Sequence, residues 1–98
     1  MPFLIETFDK PNHAHVRARE REVHLDFLAQ HQALLLACGA KLNDDGSSLG
    51  GGIYIVDVET REEAQAFIAQ DPFSQVGLFE RVSIVRWRKA YVDGVCHL

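Results

Sequence analysis

Two residues far apart in the chain, His24 and Asp71, are of the types that together make a proton-transfer dyad. A carboxylate that accepts from one imidazole nitrogen fixes the tautomer and leaves the other nitrogen as a base suited to work near neutral pH. His24 shares an apolar stripe with Phe27, Leu28, His31, Leu34 and Leu35, so it points inward from a helix. Asp71 stands before Pro72, where an aspartate caps one further helical turn. Each residue also has a plain structural use, as a core histidine satisfied by a carbonyl and as a helix cap. The pair gains chemical meaning if the fold brings the two together beside a cavity.

Other candidates are weaker. His13 and His15 could hold a metal only if carboxylates or His31 completed the shell, and no metal site is expected. His97 lies in a tail with nothing to pair it. Cys38 and Cys96 belong to no C-x-x-C pair and read as free thiols. Gly50-Gly51-Gly52 lacks the strand-before, helix-after context of a phosphate loop. A β-bulge fits it best, with a backbone kept bare for a ligand as the second reading.

Charge and hydropathy exclude several classes. The formal net charge is -4, which opposes a nucleic-acid partner, since that affinity rests on Lys and Arg neutralising phosphates. The one basic cluster, Arg86-Trp87-Arg88-Lys89, would put Arg86 and Arg88 on one side of a strand and Trp87 on the other. That is a solvated edge with one inward ring. No apolar run approaches the roughly 20 residues that cross a bilayer, and Met1 to Glu6 has no export features. No membrane association and a cytoplasmic location are expected.

The elements that must position the dyad follow from pattern. The 98 residues suit one domain spanning 1–98, with its core at about 3–91 and a tail at 92–98. Phe3 to Phe8 predicts a strand, closed by Asp9-Lys10-Pro11-Asn12. Nothing breaks a helix from about His13 to Cys38, where Gly39 offers a C-terminal stop. Its charged first third, Ala14 to Glu22, reads as a separate turn or an angled lead-in. Ala40-Lys41-Leu42 is then a short strand, Asp44 to Ser48 a hairpin loop, and Leu49 to Val58 a third strand.

Thr60-Arg61-Glu62-Glu63 matches a capping box that opens a second helix with Ala64, Phe67 and Ile68 buried. Asp71-Pro72-Phe73 ends it or restarts one turn that closes at Gly77, and Phe79 to Trp87 alternates as the last strand. This order, βαββαβ, predicts an α+β ferredoxin-like fold with a four-stranded antiparallel sheet and both helices on one face. The hairpin rules out an all-parallel sheet. Helices lying side by side bring the end of the second toward the first half of the first, and so Asp71 toward His24.

Both faces of the strands are apolar: Phe3 and Ile5 oppose Leu4 and Phe8, while Ile53 and Ile55 oppose Tyr54, Val56 and Val58. Two helices cover one face only. The other is expected to pack on a second copy, giving a homodimer.

The segments Arg21 to Leu28, Ala37-Cys38-Gly39, Thr60 to Ala64, Asp71-Pro72-Phe73, Gly77 to Glu80 and Val85 to Lys89 resemble the YciI family from about Phe3 to Tyr91. The most specific match is the Arg-x-x-His signature with the downstream Asp-Pro-aromatic, here Arg21, His24, Asp71, Pro72 and Phe73. The resemblance implies a dimeric α/β barrel and a His-Asp site. His24 would be the acid/base and Asp71 its orienting carboxylate, with Arg21 meeting an anionic group and Phe73 a second substrate contact. Glu22 and Val23 replace the family's frequent Pro and Ala, and Ala40 a frequent Pro; neither change touches the dyad.

The resulting expectation is a cofactor-independent enzyme. It would carry out an elimination, isomerisation or hydrolysis on a small organic molecule, cyclic or aromatic. The alternative is a non-catalytic dimeric module that binds a small molecule or a partner. An RNA-binding use of the fold is opposed by the acidic balance and by central strands without a Lys/Arg-Gly-aromatic run.

Overall fold

The computed structural model describes all 98 residues. In chain order it has β1 (Phe3–Asp9), α1 (Ala14–Gln30), a 3-10 turn (Gln32–Leu34), β2 (Leu35–Leu42) and β3 (Ser48–Val56). There follow α2 (Arg61–Gln70), a single turn α3 (Pro72–Gln75), β4 (Phe79–Arg86) and a terminal hairpin of β5 (Tyr91–Val92) and β6 (Val95–Cys96). The first four strands form one antiparallel sheet in the order β2-β3-β1-β4. This is the ferredoxin-like α+β arrangement that the element order predicts. No helix is long and apolar enough to cross a membrane.

Alternation along the strands sets the faces. Phe3, Ile5 and Thr7 of β1 and Tyr54 and Val56 of β3 are buried, and they point to the helix side. Phe27 of α1 and Ala64, Phe67 and Ile68 of α2 complete that core. A smaller cluster, Val16, Phe73 and Leu78, joins the start of α1 to α3 and the entry of β4. Leu4, Ile53 and Ile55 lie half-exposed on the other face, and Val85 of β4 is 47% exposed.

The first helix is shorter than its pattern. It ends at Gln30, and Leu35 to Cys38 belong to β2, with Gly39 in mid-strand instead of capping a helix. A short apolar run fits either helix or strand by periodicity alone. The sheet decides it, because Leu35 pairs with Val56, Ala37 with Ile55 and Cys38 with Tyr54, while Asp57 N–H donates to Leu34. A three-residue strand would have left most of β3 unpaired along that edge. The charged lead-in from Ala14 is no separate turn, since one continuous helix spans it. The tail is also ordered, with Tyr91 and Val92 paired to Cys96 and Val95 and the His97 N–H bonded to Ala90.

At the other end of α2, Thr60 accepts from the Glu63 N–H at 3.2 Å, as a capping box requires. The Glu63 carboxylate takes the Thr60 hydroxyl at 3.1 Å and not the Thr60 backbone N–H.

The glycine run bends β3. Pairing of β3 with β1 stops at Glu6–Ile53, and beyond it Gly52 N–H donates to the Thr7 hydroxyl at 2.9 Å. Gly51 has a φ of +103°, and a Cβ there would lie 1.9 Å from the Thr7 carbonyl oxygen. What needs the bare backbone is this chain's own β1. Gly51→Ala should therefore cost at least about 2 kcal/mol in urea unfolding, from backbone strain and overlap together. Gly39→Ala meets open space and should stay within about 1 kcal/mol of the parent.

Candidate active site

Pro72 dictates where the carboxylate sits. It lacks an N–H and cannot continue α2, so Asp71 leaves the helix with extended backbone (φ -61°, ψ 130°) and its side chain starts α3. Asp71 Oδ1 accepts from the Phe73 N–H at 2.9 Å, which is the capping role expected of it. The same carboxylate meets His24, whose Nδ1 lies 3.0 Å from both Oδ1 and Oδ2. Asp71 serves as cap and as dyad partner at once. It is wholly buried, and His24 is 9% exposed.

A third donor comes from the sheet. Tyr54 O–H donates to Asp71 Oδ2 at 2.8 Å. Burial, and then the charge of Asp71, pushes the Tyr54 phenol far up, so it remains a donor throughout the working pH range. The sequence pattern puts Tyr54 on one of two apolar strand faces and gives it no role. The available signal was that a buried tyrosine hydroxyl needs a partner, and Asp71 is the acceptor within reach.

A carboxylate can only accept, so Nδ1 carries the proton in the neutral ring and Nε2 the lone pair. Nε2 has no bonding partner, yet no buried side-chain nitrogen or oxygen is left unpaired. Nε2 therefore opens on free space. That space is a cavity of about 390 Å³ between α1 and the β2–β3 edge, walled by Leu25, Leu28, Cys38, Ala40, Gly52 and Tyr54 among others. Its volume suits a small organic molecule.

Phe73 fixes the plane of the imidazole. Its ring is stacked on His24 with centroids 4.1 Å apart and 17° between planes, and the Arg17 guanidinium lies 4.5 Å over it. Arg17 is held in turn by Asp9, at 2.7 and 3.0 Å. Arg17 lines the cavity and went unnoticed in the charged lead-in, although seven residues before His24 is two turns along the same helix face. Arg21 also lines the cavity, exposed and without a hydrogen-bonding or ionic partner.

The other histidines are elsewhere. His31 Nδ1 lies 2.9 Å from the Phe27 carbonyl of its own helix, and His13 Nδ1 lies 2.7 Å from Pro11 O. No group of three or more metal-ligating side chains occurs.

The sequence matches the YCII-related domain over residues 1–88. The chain belongs to the YCII-related family. Among solved structures, this YCII-related chain is similar to 5-chloro-2-hydroxyhydroquinone dehydrochlorinase (TftG) from Burkholderia phenoliruptrix AC1100, in complex with 2,5-dihydroxybenzoquinone. The two share 31% identity over 90% of this chain and 94% of that one, with a TM-score of 0.81. At3g17210 from Arabidopsis thaliana is matched at 14% identity and a TM-score of 0.48, covering 94% and 97% of the two chains. No curated protein matches the sequence. The likeness to TftG puts this YCII-related chain beside an enzyme that acts on a small molecule.

Cys38 shares the wall with the dyad and pairs across the ladder with Tyr54. Surrounding wall atoms, and then the Asp71 charge, push its thiol from 9.0 up to about 11 although the residue is reachable from solvent. Folding thus holds the proton on Cys38, and the thiolate forms only as pH climbs toward that value. Iodoacetamide at mildly alkaline pH should label Cys96 at least about tenfold faster than Cys38, with the difference lost in urea. Peptide mass mapping reads this. Tyr54→Phe removes one donor from a buried carboxylate and should lower stability by about 1–3 kcal/mol, measured by denaturant titration.

Proposed function

We propose that this chain is an enzyme that moves protons on a small hydroxylated cyclic or aromatic molecule, with His24 as the acid/base and Asp71 as its orienting group. The observation that carries the reading is one imidazole with two differently employed edges. Nδ1 is bound to a carboxylate without solvent contact, and Nε2 is free at a cavity that can hold a small organic molecule. A structural histidine has no need of the second edge.

The chemistry follows from the parts. His24 Nε2 takes a proton from the bound molecule, and the imidazolium so formed stays beside the Asp71 carboxylate and against the Phe73 ring. The same nitrogen can return that proton at another atom of the substrate, which is an isomerisation. Departure of a leaving group in place of that return is an elimination. We favour elimination, because the TftG neighbour is a dehydrochlorinase. Loss of a proton and a chloride changes no redox state outside the substrate, so the dyad can act without a cofactor. In this reading Phe73 and Arg21 contact the substrate, Arg21 as one of the two cations that line the cavity.

We further propose that the enzyme works as a homodimer through the sheet face opposite the helices. Leu4, Ile53 and Ile55 on that face are only half-covered and Val85 is 47% exposed. An apolar patch of this kind, interrupted by Glu6 with its Lys41 partner, is best covered by a second sheet.

The test is chloride release from 5-chloro-2-hydroxyhydroquinone and related ring-hydroxylated chlorides. His24→Gln should reduce turnover by at least about 100-fold while leaving the circular dichroism spectrum and the sedimenting mass of a dimer unchanged. A His24→Gln variant as active as the parent would remove the dyad from the mechanism, and a monomeric parent would remove the dimer.

A further inference from the structure

We infer that Arg17, and not the more exposed Arg21, is the residue that selects an oxyanion-bearing substrate for this cavity. The inference rests on reading the cavity beside His24 as the substrate site.

The cavity wall has a sign. Arg17 and Arg21 line it, no Asp or Glu does, and Asp71 is sealed behind the imidazole with no solvent contact. A ligand with a phenolate, enolate or carboxylate oxygen therefore meets cationic donors and no carboxylate in the wall, whereas an uncharged ring of the same shape gains nothing from those donors.

The two guanidinium groups differ in preparation. Arg21 is exposed and has no partner, so binding must first restrict a long and mobile side chain. Arg17 is already fixed. Its Nε and Nη2 donate to the two oxygens of Asp9, a carboxylate only 8% exposed at the end of β1, and its Cζ lies 4.5 Å over the Phe73 ring.

What remains free on Arg17 is Nη1. It has no partner, and no side-chain nitrogen is both buried and unpaired, so Nη1 reaches open space in a residue that borders the cavity. A planar donor with two of its nitrogens anchored and the third presented is preorganised for an anionic oxygen. Phe73 touches both Arg17 and His24 and so fixes the oxyanion donor relative to the base. The specificity that results is for a ring whose charged oxygen and transferable proton are held at separate points.

The test compares 4-nitrophenolate with nitrobenzene, one anionic and one neutral ring of similar shape, by NMR titration of the full chain under mildly alkaline conditions. The parent should prefer the anion. Arg17→Met should weaken 4-nitrophenolate by about tenfold or more while nitrobenzene changes by less than about threefold. Arg17→Lys should lose most of the preference as well, because an ammonium cannot hold Asp9 at two points and still present a donor. Asp9→Asn keeps the charge of Arg17 and loosens its anchor, and should give an intermediate loss. Arg21→Met should weaken 4-nitrophenolate by less than Arg17→Met does and leave most of the preference for the anion in place.

Three results would overturn the assignment: a parent that binds both probes alike, an Arg17→Met variant that loses both equally, or a loss of preference confined to Arg21→Met. Should Arg17→Met fail to fold, Arg17→Lys and Asp9→Asn make the same comparison. His24→Gln should retain the preference for the anion. A chain with that preference but no reaction would refute the proposed chemistry and leave the role of Arg17 standing.

Discussion

A carboxylate taken wholly out of water must be satisfied by donors, and in this protein the donors that satisfy Asp71 come from three different elements. Phe73 N–H belongs to α3, Tyr54 O–H to β3 and His24 Nδ1 to α1. Losing one neutral donor to a buried carboxylate costs about 1–3 kcal/mol, so the three elements are held in register by one side chain. The position of the candidate base, the closure of α2 and the packing of α1 on the sheet follow from that requirement.

The dyad also stands where two hydrophobic clusters meet. Tyr54 belongs to the larger and Phe73 to the smaller, and His24 lies against both, edge-on to one at 6.3 Å and stacked on the other at 4.1 Å. Apolar packing alone would leave the imidazole plane free to turn. The stack and the two 3.0 Å contacts to Asp71 hold it, which is the preorganisation that proton transfer needs. On the far wall, the β3 glycines let the strand leave β1 while it keeps pairing with β2, and Gly52 and Ser48 then border the cavity. The positive φ that only glycine adopts freely at position 51 is thus tied to the room beside His24.

Membership of the YCII-related family and the likeness to TftG fit this arrangement, since both concern the whole domain and not one motif. The family resemblance was legible in short segments scattered from Arg21 to Lys89, which are the segments that supply the dyad, its cap and the last strand.

By itself the sequence determined the order of elements, the inward stripes of the helices and the capping residues, because these depend on periodicities of two and of 3.6 and on local turn chemistry. It therefore placed His24 and Asp71 on elements that would lie together. Which of the two apolar strand faces meets the helices was decided by the tertiary structure. The tertiary structure alone decided where α1 stops, since Leu34 to Cys38 suit helix or strand equally until Val56, Ile55 and Tyr54 offer them a ladder. It alone recruited Tyr54 and Arg17, whose partners Asp71 and Asp9 are distant in sequence or on another element. Which buried donor meets which acceptor is settled by packing between elements, and a linear pattern does not contain those distances.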